Sequence, residues 1–137
     1  MSWSKTVILA TVAGLLAGLA SWIMSRIYAT AFYTDFSAII GPLSLFASCI
    51  FGTTLMSLGH RLIHKWNKPA LIPWMNVLYA IVSYLSILGV LGFNLPLEIE
   101  SPELFPGMVL PMHFFPLLSF LVIKSFFKQE TPEESVR

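Results

Sequence analysis

The amino-acid sequence predicts an all-α fold, a four-helix transmembrane bundle, from three observations. Hydrophobic residues make up 56% of the 137 residues and charged residues 11%. An average soluble domain carries about 25% charged residues, and a chain this short has too little interior to hide so much apolar surface from water. Second, the apolar residues are gathered into four long stretches, each near the roughly 20 residues a helix needs to cross a hydrocarbon core. Third, the charges lie almost entirely between those stretches, and their sign alternates from gap to gap.

The first span is read as about residues 6–33. Thr6 to Ser25 carries no charge, and apolar character resumes after Arg26. Lys5, the run from Val7 to Leu19 and the small residues from Ala17 to Ser21 also have the layout of a signal peptide. The apolar run continues through Trp22, Ile23 and Met24, so the segment is read as a retained helix. The second span is about 41–60, with Pro42 suited to a first helical turn. The third is about 71–93, with Pro73 again near the start, and the fourth is about 106–127. Unpaired backbone groups are too costly in lipid for any other open structure, so each span must be a helix or part of a closed barrel. The stretches lack the strict alternation of barrel strands. Residues 1–128 thus form one membrane domain, and 129–137 form a polar tail expected to be disordered.

Basic residues mark the cytoplasmic side of a membrane protein. Lys5, Arg61, Lys65, Lys68, Lys124, Lys128 and Arg137 are seven of the eight basic residues, and all lie at the termini or between spans two and three. Four spans place those three regions on one side. The expectation is therefore an up-down-up-down bundle with both termini cytoplasmic, in a bacterial cytoplasmic (inner) membrane. Asp35, Glu98, Glu100 and Glu103 then face outward. Trp3, Trp66 and Trp74 sit near the inner boundary, and Tyr28 and Tyr33 near the outer one, as an aromatic belt requires.

Small residues recur every four positions on the first helix. Ala10, Gly14 and Gly18 form one row; Ala13, Ala17 and Ser21 form another. Ser44, Ser48 and Gly52 repeat the pattern on the second. Such rows let helix backbones approach closely. They serve either packing within the bundle or a homodimer seam.

Few residues offer chemistry. Arg26 lies 21 positions after Lys5, about 30 Å along a helix, which places it at the outer boundary. It either reaches to headgroups and outer carboxylates or anchors an anion in an outward-facing cavity. His113 lies seven residues into the fourth span, about 10 Å below that boundary. Pro111 and Pro116 bracket it, and each removes a backbone donor, so a kink is expected there. A polar ring beside freed carbonyls suits either a binding site, with Met112 alongside, or plain packing. His60 and His64 share a helix face, but Arg61, Lys65 and Lys68 surround them and disfavour a bound cation. Arg61, His64, Lys65 and Lys68 read instead as a contact for anionic lipid. His60 and His113 are expected about 20 Å apart in depth, so they cannot flank one haem.

No GxGxxG, P-loop, HExxH or GxSxG sequence occurs. The net charge of +1 gives no basic face for nucleic acid. One cysteine, Cys49, allows no disulfide framework. No cofactor or metal is expected.

With the spans placed, the chain resembles a loosely defined group of small bacterial four-helix integral membrane proteins. The resemblance rests on TVILATVAGLLAGLASWI after a short amino terminus, on the basic turn after the second span, and on PMHFFPLL around Met112 and His113. It implies a four-span bundle and carries no activity with it. The sequence thus favours a non-enzymatic protein, since acid–base work usually needs more than one buried ionisable group. Such a protein would assemble with itself or a membrane partner, or bind a small apolar ligand between helices. The competing expectation is a transporter or proton relay whose outward-facing cavity Arg26 and His113 line.

Overall fold

A computed structural model describes residues 2–93, 95–96 and 98–127. The tail expected from residue 129 lies outside the described residues, as do Lys128 and Arg137. The described chain is all-helical, with four helical segments long and apolar enough to cross a membrane.

Helix α1 spans Trp3–Phe32. Ser2 caps it by accepting a hydrogen bond from the Lys5 backbone N–H at 3.3 Å. Tyr33 ends it in a left-handed conformation, φ 55°. Helix α2 spans Pro42–Lys65, with Pro42 in its first turn, where the missing N–H costs nothing. It runs on past the apolar stretch that ends near residue 60, so Arg61 and His64 are helical. Asn67 makes the turn out of it at φ 55°, a conformation Asn tolerates better than most residues. A single 3-10 turn, Pro69–Leu71, leads into α3, Ile72–Leu91.

The fourth span is broken. A 3-10 turn at Pro102–Leu104 precedes α4, Phe105–Met112, and α5 follows at Phe115–Phe126. The break falls at His113 and Phe114, between the two prolines. Pro111 cannot donate to the Gly107 carbonyl, nor Pro116 to that of Met112. The chain tightens instead, with His113 N–H bonding Leu110 O at 3.3 Å and Phe114 N–H bonding Pro111 O at 3.1 Å.

Packing centres on α1 and α2, with α5 laid against both. The buried face of α1 is Thr6, Leu9, Ala10, Ala13, Gly14, Ala17, Gly18 and Ser21, which repeats at helical spacing. A Cβ at Gly14 would lie 2.7 Å from the Cα of Ile50, so only glycine fits where the two backbones cross. A Cβ at Gly18 would meet the Phe46 ring. The row of Ala10, Gly14 and Gly18 is therefore covered by α2 of the same chain. At the same crossing the Thr53 hydroxyl, fully buried, lies 2.8 Å from Ala10 O and donates to it across the seam.

Helix α3 sits at the edge, against α2, α4 and α5. Only Tyr79, Ser83 and Val90 are buried on it. Tyr79 passes over Gly59 and donates to Met56 O at 2.8 Å, and its ring meets the face of Phe120 edge-on at 5.8 Å. Two apolar clusters fill the interior. One joins Leu9, Ala13, Tyr79, Leu117 and Phe120. The other joins Phe36, Leu45, Val90, Phe105, Met108, Val109 and Met112. Outside them, large apolar side chains such as Val7, Leu15, Phe51, Leu55, Leu85 and Leu88 are exposed along the helices. That outer surface suits lipid and not water.

Candidate functional site

The break in the fourth span opens a cavity of about 380 Å³ between α1, α2, α4 and the start of α5. Beside it α2 and α5 approach each other, and a Cβ at Gly52 would lie 3.7 Å from the Pro116 Cβ. Ser21 of α1 and Cys49 of α2, 3.7 Å apart, form the back wall. Ile39 and Ile40, from the loop between α1 and α2, line the opposite end. Ser44 and Ser48 face the cavity from successive turns of α2 and are exposed, so it communicates with the bundle surface there.

His113 and Met112 both line this space. The His113 Nδ1 atom lies 3.0 Å from Val109 O. A carbonyl oxygen only accepts, so Nδ1 must carry the proton. In the neutral imidazole Nε2 is then left as an acceptor. The cavity thus presents one imidazole acceptor and a short run of hydroxyls against aliphatic walls from Ile39, Ile40, Leu45, Val109, Met112 and Pro116. Among the described residues no carboxylate or guanidinium lines it.

Arg26 is elsewhere. It is exposed and lines a separate hollow of about 40 Å³ with Asp35, Ser37 and Met108. The structure therefore does not bring Arg26 and His113 into one cavity, contrary to the expectation of a shared outward-facing site. They stand near one end of the bundle on different helix faces. Asp35 accepts the Ser37 N–H at 2.8 Å. That hydrogen bond, then the Ser37 hydroxyl and the nearby Arg26 charge, hold the Asp35 carboxyl below its usual range.

The four residues expected to contact anionic lipid divide. Lys65 and Lys68 are exposed, whereas Arg61 and His64 are half-buried. The Arg61 guanidinium stacks over the Trp3 ring at 4.0 Å, joining the start of α1 to the end of α2. Among the described residues no three of His, Cys, Asp and Glu converge on a point that could hold a metal ion.

Sequence reasoning placed His60 at a basic helix end and did not foresee its burial. It is the most buried histidine, 2% exposed, and packs edge-on against Phe120 at 6.2 Å. The available signal was a row of Cys49, Thr53, Ser57 and His60 at four- and three-residue spacing, all buried. The overlapping row through Ser44, Ser48 and Gly52 was read in its place.

The class this architecture defines is an all-helical protein with four helices of membrane-crossing length, one of them broken beside an internal cavity. Comparison with family models, curated proteins and solved structures finds no match to the chain.

Proposed function

We propose that this is a multi-pass protein of a bacterial cytoplasmic membrane, with up-down-up-down helices and both termini cytoplasmic. Its function is to bind a small apolar ligand in the cavity beside His113. The observation that carries the reading is the cavity itself. Its volume of about 380 Å³ falls in the range of small-molecule sites, and its walls combine aliphatic side chains with few polar groups. The lining sets the ligand's chemistry. With no charged group in the wall among the described residues, the ligand is uncharged. With Nε2 of His113 as acceptor, it carries a hydroxyl donor, as an alcohol or phenol with an apolar body does. Ser44 and Ser48 stand at the surface opening, so such a ligand enters sideways from lipid.

The assembly reading loses its support on α1, because the glycine row is covered by α2 within one chain. The alternating loop charges support the orientation, and a reporter fused after Arg137 tests it by being active only in the cytoplasm.

Cys49 is the only cysteine and lies in the cavity wall, so it reports occupancy. Protein in detergent is treated with N-ethylmaleimide in the presence of a graded series of alkyl alcohols and alkyl phenols. Members that fit slow modification of Cys49, and His113→Ala weakens that protection at least threefold. If no member of the series protects Cys49, the cavity is not a site for this class of ligand.

A further inference from the structure

The buried row on α2 leads from the cavity toward the basic end of the bundle, and two of its polar atoms have no partner. The Ser57 hydroxyl is fully buried and His60 is 2% exposed, yet neither Ser57 Oγ nor His60 Nδ1 has a hydrogen-bond partner among the described residues. Orphaned polar groups inside a protein are costly, and the usual resolution is a bound water that satisfies both. Ser57 and His60 are three residues apart on one helix face, near enough for one water to join them.

The row continues in both directions. One turn toward the cavity, the Thr53 hydroxyl sits between three carbonyls, at 2.8 Å from Ala10 O, 3.0 Å from Cys49 O and 3.1 Å from Ile50 O. It can donate to only one at a time, and its oxygen still accepts. One further turn brings Cys49 and Ser21, both in the cavity wall. In the other direction the rings of His60 and His64 are 5.0 Å apart, and His64 is half-buried.

We propose that this file of Ser21, Cys49, Thr53, Ser57, His60 and His64, bridged by internal water, is a proton path from the cavity to the basic end, with His60 as its central exchange station. An imidazole takes a proton on one ring nitrogen and releases one from the other, so the step needs no oxidant, reductant or co-reactant. The titratable groups near His60 are Lys124 from α5, Tyr79 from α3, which shares the Phe120 ring with it, and His64 on α2. Lys124 bonds Asn76 Oδ1 at 3.0 Å, and Tyr79 bonds Met56 O. No carboxylate lies in any of the five helices. The path uses the cavity's position only and stands whether or not a ligand binds there.

The test is proton uptake by liposomes holding the full chain and a pH-sensitive dye, driven by a potassium gradient with valinomycin. The native protein acidifies or alkalinises the lumen faster than protein-free vesicles. Ser57→Ala and His60→Phe lower the protein-dependent rate at least tenfold, whereas Gly89→Leu, on the exposed face of α3, leaves it unchanged. Ser57→Ala removes an oxygen that has no partner among the described residues, so it melts at or above the native temperature while losing flux. A purely structural serine would do neither. The proposal is overturned by a native rate equal to that of empty vesicles, or by native rates in both Ser57→Ala and His60→Phe. An equal loss in Gly89→Leu would show that the rate follows general damage to the bundle and overturn this route. Because the ligand test reads Cys49 protection and this one reads flux, either can fail alone.

Discussion

Helix α1 and the Pro69–Leu91 span have mean hydropathies of 2.1 and 1.8, yet 39% of the first's most apolar stretch is buried and only 17% of the third's. Hydropathy therefore says that both segments suit lipid and nothing about how they pack. Side-chain size on the inward face decides that. On α1 this face is Ala10, Ala13, Gly14, Ala17, Gly18 and Ser21, small enough for the α2 backbone to come into contact. On α3 it is Met75, Tyr79, Ser83 and Val90, and the larger of these hold the helix off. In lipid no hydrophobic force squeezes helices together, so van der Waals contact and a few hydrogen bonds must do so. The first helix uses contact, and the third depends on two hydrogen bonds, from Tyr79 to Met56 O and from Lys124 to Asn76.

The largest expected effect comes from filling the α1–α2 crossing. Gly14→Leu puts a branched side chain where a Cβ alone would be 2.7 Å from a backbone atom, and a backbone cannot swing aside. Overpacking of this kind costs roughly 3 kcal/mol or more. The expected outcome is loss of the monodisperse species on size-exclusion chromatography. Gly18→Ala is the milder case, since its Cβ would meet only the Phe46 ring, which can rotate. If Gly18→Ala proved worse than Gly14→Ala, the backbone crossing would not be the tight point.

Tyr79→Phe tests the other side of the comparison. It removes the hydroxyl that bonds Met56 O at 2.8 Å and leaves the ring on Phe120. Hydrogen bonds between membrane helices are worth roughly 0.6–1.7 kcal/mol. For a helix held by so little else, the upper part of that range is expected. Hydrogen exchange should then rise in α3 and not in α1. A uniform rise over the whole bundle would mean that α3 is integral to the core.

Next in size is Thr53→Val, which keeps the shape and removes the bond to Ala10 O. That carbonyl also takes part in the α1 backbone ladder, so it is not left unpaired. A loss near roughly 0.6 kcal/mol is expected in a detergent unfolding titration. A loss above that of Tyr79→Phe would show that the α1–α2 seam, too, relies on its hydrogen bond.

These contrasts show why some of the molecule was legible in the sequence and some was not. Span length and charge placement give position along each helix axis. They marked the four helical segments, the first-turn prolines Pro42 and Pro73, and the break between Pro111 and Pro116. The angle around the axis depends on which neighbour covers which face, and a single sequence holds little of that. Hence Arg26 and His113, both assigned to the outer half by depth and placed in one cavity by the competing expectation, line different hollows. His60 was assigned by depth to a wet helix end and is buried, because Phe120 of α5 lies over its ring. The small-residue rows were the partial exception, since a row every four residues does specify an angle. Even so, the rows on α2 left two faces to choose from, Ser44–Ser48–Gly52 and Cys49–Thr53–Ser57. Both are used, one on the cavity and one in the seam.

The smallest effect belongs to Gly89→Leu, and it separates the two helices most cleanly. Gly89 lies inside α3, where glycine is a poor helix former, yet a Cβ added there would meet nothing within 4 Å. It is therefore not a packing glycine. Leucine at this site adds apolar surface on a face already exposed through Leu85 and Leu88. It also removes a glycine that costs a helix up to roughly 1 kcal/mol relative to a good helix former. The expected result is an unfolding midpoint equal to or slightly above the native one, with unchanged elution volume. The same substitution at Gly14 and at Gly89 should thus differ in its effect on stability by several kcal/mol, with a loss only at Gly14. A marked loss at Gly89 would show that something outside this chain rests on the exposed face of α3.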